Sequence, residues 1–211
     1  MRHSVRFLAA FSILGLASAA FAQQVDNPAY LTWAKYKPGT TTTLQQSATM
    51  AMMPTMVTTT TITQKLLEVK PDSATVEVTT KTSMMGQNSE NKSTNVIPAK
   101  VDKGQEYTPQ AKPDMKIEIK DMKEGKETID VKGAKVDTVT REFTAIMTST
   151  ATAPATNPAA AMMAGGMTSK VKIWTTPDVP GGTVKTETTT TMGQMGEMKA
   201  SVTLVDYTIV K

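Results

Sequence analysis

Methionine is the residue type whose numbers and spacing come nearest to chemistry in this chain. Sixteen occur in 211 residues. Most fall in groups: Met50, Met52, Met53 and Met56; Met84 and Met85; Met162, Met163 and Met167; Met192, Met195 and Met198. Thioethers are soft ligands that select Cu(I), and Met192-x-x-Met195-x-x-Met198 has the spacing of a methionine copper-binding segment. Against that reading, Gly193 and Gly196 make the segment a turn, and no histidine accompanies it to hold Cu(II). Methionine also fills adaptable apolar surfaces. The expectation is therefore a lining role with no metal site, and the alternatives are a methionine-based Cu(I) binder or a purely structural envelope protein.

Other chemistry lacks its parts. Cysteine is absent, and the one histidine is His3. Nucleophilic catalysis would need a Ser–Lys or Thr–Lys pair, or two paired carboxylates. Glu68, Asp72, Glu77, Glu118, Asp121 and Asp206 instead stand singly on strands or in turns. There is no G-x-S-x-G and no phosphate-cradling glycine loop. The expectation is a non-catalytic protein without a cofactor.

The first residues point to export. Arg2 and Arg6 precede an apolar run from Phe7 to Leu16, and Ala17-Ser18-Ala19 and Ala20-Phe21-Ala22 are small-x-small cleavage signals. Cutting after Ala22 divides the chain into a signal peptide, 1–22, and a single β-rich domain, 23–211. The apolar run is short of the ~20 residues that span a bilayer, so no transmembrane anchor is expected in what remains. Without cysteine there is no lipoprotein anchor and no disulfide. The expected location is periplasmic or extracellular. Losing Arg2 and Arg6 leaves 21 basic residues against 19 acidic ones. That near balance, with dispersed lysines and few aromatics, excludes nucleic acid as the expected partner.

These residues have to be placed by elements that the pattern also predicts. Asp26-Asn27-Pro28 is a helix start, and the helix should run to about Tyr36 and stop at Pro38-Gly39. Beyond Gly39 the chain turns to strands. Threonine occurs 37 times, and its branched Cβ and hydroxyl suit a solvated pleated face. Ala74, Val76 and Val78 alternate with Thr75, Glu77 and Thr79; Ile117 and Ile119 alternate with lysines and Glu118. Val139, Phe143, Ala145 and Met147 share one face of a later strand. Val171 to Lys185 reads as a hairpin turning at Pro177 to Gly182. Ser201 to Val210 is in part apolar on both sides, as in a central strand or one packed under the helix.

Breaks at Pro54, Pro71-Asp72, 86–90, 98–113, Glu124-Gly125, Gly133, 151–166, 177–182 and 193–196 give nine or ten strands with mostly short turns. That is an antiparallel meander. Strands of about 12 to 15 residues exceed the usual length, and their accumulated twist curls the sheet. The predicted fold is mainly β: a strongly curved antiparallel sheet, half-barrel or barrel, with one short N-terminal helix. One such helix cannot cover the concave face. Leu44, Met50, Met52, Ile62, Val76, Val78 and Met84 are thus candidate ligand-lining residues. Met162 and Met163 join them from 151–167, a long apolar loop or flap. The expected partner is a lipid or another apolar ligand, or an envelope protein.

A resemblance accompanies this pattern. Trp33-Ala34-Lys35-Tyr36-Lys37-Pro38-Gly39 leads into a threonine/methionine strand, and Trp174 with Pro177-Asp178-Val179-Pro180-Gly181-Gly182 follows much later. The combination resembles a group of small exported bacterial proteins of unknown function. The overall pattern is similar to the curved antiparallel sheets of lipoprotein carriers, which hold acyl chains on a concave apolar face. The likeness to the carriers is one of architecture and transfers no functional residue.

Overall fold

The computed structural model describes residues 23–84, 87–103, 106, 115–131, 133–149, 167–191 and 196–210. The proposed signal peptide, most of the 151–167 loop, and Met162 and Met163 lie outside them. Asn27 caps the helix: its side-chain oxygen accepts from the Ala29 N–H at 3.0 Å, and Pro28 takes the first helical position. The helix, α1 (Pro28–Trp33), is shorter than the pattern predicts. Its last turn tightens, the Tyr36 N–H bonding to the Trp33 carbonyl, and Gly39 at φ 94° then redirects the chain.

Among the described residues nine strands form one antiparallel sheet. In chain order they are β2 (Thr41–Met50), β3 (Met53–Val69), β4 (Ser73–Met84), β5 (Gln87–Pro98), β7 (Met115–Val131), β8 (Ala134–Ser149), β9 (Met167–Thr175), β10 (Thr183–Thr191) and β11 (Glu197–Thr208). Their spatial order is β5-β4-β3-β2-β11-β10-β9-β8-β7, so the sheet has two edges, β5 and β7. A small ribbon pairs β1 (Gln24–Asp26) with β6 (Lys100–Asp102). The last strand is central, held between β2 and β10.

Two predicted breaks are not breaks. The chain turns at Ala51–Met52, and Pro54 belongs to β3. β7 runs through Glu124-Gly125. Gly125 serves the strand, because a Cβ there would lie 2.8 Å from Oγ1 of its cross-strand partner Thr140. The irregularity in β7 comes earlier, between Lys120 and Lys123, where Asp121 takes φ 56°.

The sheet is open and strongly curved. α1 touches β5 and β4 at one side. On the other it faces Val139 and Arg141 of β8 and Ile173 and Thr175 of β9 across a groove. Seven strand intervals separate β5 from β8, about 34 Å if laid flat at ~4.8 Å each. A helix is only about 10–12 Å wide, so the strands must wrap around it. Bulges at Leu66/Glu68, Thr183/Lys185 and Leu204/Asp206, all at the helix end, raise the local twist.

Packing concentrates at that same end. Trp33 lies with Leu66, Ala74 and Val76, and Tyr30, Tyr36, Val78 and Ile97 pack around them. A second cluster joins Leu44, Leu204, Val184 and Val131 with Val179 of the β9–β10 loop.

Candidate functional site

The groove between α1 and the sheet is the best-formed candidate site, with a volume of about 410 Å³. Alternation builds its floor: Val139 and Arg141 of β8 lie opposite Thr175 and Ile173 of β9, and all four line the groove. Pro28, Ala29 and Thr32 of α1 form the facing wall. The turn Thr176–Gly182 closes one side. Gly181 and Gly182 take φ 77° and 73° there and let the backbone meet the helix. A Cβ on Gly181 would sit 3.2 Å from the Trp33 ring, and one on Gly182 would sit 2.8 Å from Cγ2 of Thr32. The Lys35 ammonium donates to the Pro177 carbonyl at 3.4 Å, tying the helix exit to the same turn.

Arg141 is, with Glu106, one of two charged side chains that line the groove among the described residues. It is the sole arginine after Arg6. Its Nε donates to Oε1 of Glu124 at 2.7 Å, and Nη1 donates to Oγ1 of Thr175 at 3.4 Å. Its charge is thus compensated from β7. Beyond it the same strand faces carry Phe143, paired with Val171, and Ala145, paired with Ser169. Phe143, Ala145 and Ser169 are buried, and Ser169 and Thr190 share a hydrogen bond at 2.8 Å.

The opposite face carries a charged constellation around Trp174. The indole N–H donates to Oε2 of Glu127 at 2.7 Å. The ammonium groups of Lys172 and Lys185 stand 4.8 and 4.9 Å from the ring centre. Lys172 also pairs with Glu127 and Glu142, each at 2.8 Å. Hydrogen bonds from Lys172, then Trp174, hold the Glu127 carboxyl below its ordinary value, and Glu127, then Glu142, push the Lys172 ammonium up. These groups cover an indole that would otherwise be exposed, a structural use of charge. Among the described residues no three acidic, histidine or cysteine side chains gather as a metal site. No helix among them is long and apolar enough to cross a membrane.

The residues singled out by sequence fall in three places. Leu44 and Ile62 lie in the cluster around Val184, and Val76 and Val78 pack beneath Trp33. Met50 and Met52 are at the other end of the sheet, 41% and 69% exposed. Met84 ends β4 at that same end, and its side chain is outside the described set, as are Met162 and Met163 entirely. The register there sets Met50 opposite Met198 and Met147 opposite Met167. Four of the described methionines therefore meet at the far rim in two cross-strand pairs. Of the Met192, Met195 and Met198 triad only Met198 is described. The floor residues Ile173 and Arg141 were not among the candidates. The alternation of Val171 and Ile173, and a lone arginine between Val139 and Phe143, were the signals that could have found them.

No protein-family model matches the chain, and no functionally curated protein matches it either. Two solved structures are similar to it. One is a Bacteroides fragilis protein inferred to be exported, with a YmcC-like fold: 10% identity, 82% of this chain and 97% of that chain covered, TM-score 0.45. The other is a Vibrio parahaemolyticus domain inferred to be of an outer membrane lipoprotein-sorting protein: 10% identity, 84% and 88% covered, TM-score 0.27. At these levels neither brings a residue or a role to this chain.

Proposed function

We propose that this chain is a non-catalytic, exported cell-envelope protein that holds an apolar ligand, a lipid acyl chain or similar, in the groove between α1 and strands β8 and β9. The observation that carries the reading is the groove itself: about 410 Å³, with Val139 and Ile173 on its floor and Pro28 and Ala29 opposite. That volume is in the range of small-molecule sites, which are mostly apolar with a few placed polar groups. The export reading rests on the N-terminal residues, and the non-catalytic one on the lack of cysteine and of any histidine but His3.

The test is titration of the purified, delipidated protein with an environment-sensitive acyl probe. Saturable binding at micromolar concentration is expected, weakened at least about tenfold by Ile173→Lys and left nearly unchanged by Met52→Lys at the opposite end. Loss of binding in Met52→Lys alone would move the site to the methionine rim. A folded protein with no saturable binding would end the reading.

A further inference from the structure

The two edges of the sheet are built differently, and the difference points to a partner. β7 is defended: it bulges between Lys120 and Lys123 and carries Lys116, Lys120, Lys123 and Lys126 along its length. Such devices discourage edge-to-edge pairing. β5 has no bulge, and the charges it carries are one of each sign, Glu90 and Lys92. All twelve of its residues stay in register with β4, from Ser73 opposite Pro98 to Met84 opposite Gln87, with no shift. Gln87 to Val96 are all exposed, and Pro98 comes only at the strand's end. Among the described residues no strand pairs with the outer side of β5, so its outward N–H and C=O groups form a template for another strand.

We propose that β5 pairs antiparallel with β5 of a second copy of this chain, about a twofold axis at Asn91, joining two nine-stranded sheets into one. Charge selects this occupant and this register. With Asn91 opposite the partner's Asn91, Glu90 meets the partner's Lys92 and Lys92 meets the partner's Glu90. The two residues share a strand face, because side chains alternate with period two. Within one copy Glu90 already pairs with Lys81 at 3.4 Å and Lys92 with Glu77 at 2.9 Å. The dimer thus extends a row of alternating sign, Lys81, Glu90, then the partner's Lys92. Sliding the pairing by two residues either way sets Glu90 on the partner's Glu90 or Lys92 on the partner's Lys92, and like charges directly opposite are destabilising. Ser89 opposite the partner's Ser93 and Asn88 opposite the partner's Thr94 complete a polar ladder. The interface is isologous, as a twofold dimer requires.

Sedimentation velocity of the purified protein over a concentration series reads the association directly. The wild type is expected to form dimers in the micromolar range, a strand-to-strand contact being at the small end of stable interfaces. Glu90→Lys and Lys92→Glu each place like charges across the axis and should weaken association at least about tenfold. An equimolar mixture of the two variants should dimerise again, since each then supplies the charges the other lacks. The exchanged double variant E90K/K92E restores opposite charges across the axis and should associate more tightly than either single variant, although it loses the pairs with Lys81 and Glu77 of its own chain. All these positions are exposed, so circular dichroism should report an unchanged fold. A wild type that stays monomeric at every concentration overturns the proposal. So do single variants that associate normally, or a mixture that fails to recover.

Discussion

The two ends of the sheet obey different rules although the same strands form both. At the helix end, α1, the β9–β10 turn and three bulges pack the concave side, and Trp33, Leu66, Val76 and Val184 are buried there. At the far end, Met50, Met52 and Val57 are exposed, and flexible thioethers take the place of rigid contacts. Close packing at one end and adaptable apolar cover at the other is a division between holding the fold and leaving it open to contact. Each strand runs the full distance, so the division is made by side chains and turns rather than by topology.

The largest expected break in this contrast is at the helix end. Trp33→Ala removes the ring that Leu66, Ala74 and Val76 pack against, and should cost about 3–5 kcal/mol in urea unfolding. Gly182→Ala should cost about 1–3 kcal/mol, because φ is 73° there and the new Cβ would meet Thr32 at 2.8 Å. A stability unchanged in both variants would mean that the helix does not clamp the sheet.

A second measurement sharpens the same end from its outer face. In a Trp33→Phe background the fluorescence of Trp174 reports its contacts with Glu127 and Lys172. A carboxyl held low contributes stability above its unfolded value and loses it as pH falls through the folded one. An ammonium held high contributes below its unfolded value and loses it as pH rises through the folded one. The directions of the Glu127 and Lys172 shifts therefore give a plateau through neutral pH, with an acid and a strongly alkaline transition. Glu127→Gln should abolish the acid one; an unchanged acid transition would assign it elsewhere.

The smallest effect belongs to the far end. Met52→Ser, at a position 69% exposed, should change stability by no more than about 0.5 kcal/mol. A large loss would show that the rim is packed against something, and the contrast between the ends would fail.

Several features were legible in the residues themselves. Asn27-Pro28 starts the helix because a side-chain oxygen and a fixed φ suit an N-terminus in any context. Period-two alternation names strands, and long strands must twist, so a curved antiparallel sheet follows from local sterics. Pairing and closure were not local. That β11 lies at the centre, that β5 and β7 are left as edges, and that Gly125 spares a cross-strand hydroxyl rather than making a turn all depend on which strand lies alongside.

For the candidate site the division is the same. Sequence alone determined what the chain lacks, cysteine and all but one histidine, and that its apolar residues outnumber what one helix can cover. It could rank Leu44, Ile62, Val76 and Val78 as apolar on one face, but not say that the core takes them while Val139 and Ile173 floor the groove. Hydrophobicity is a property of a residue, whereas accessibility belongs to its neighbours. Those neighbours are brought together from strands far apart in sequence only when the sheet curls around α1.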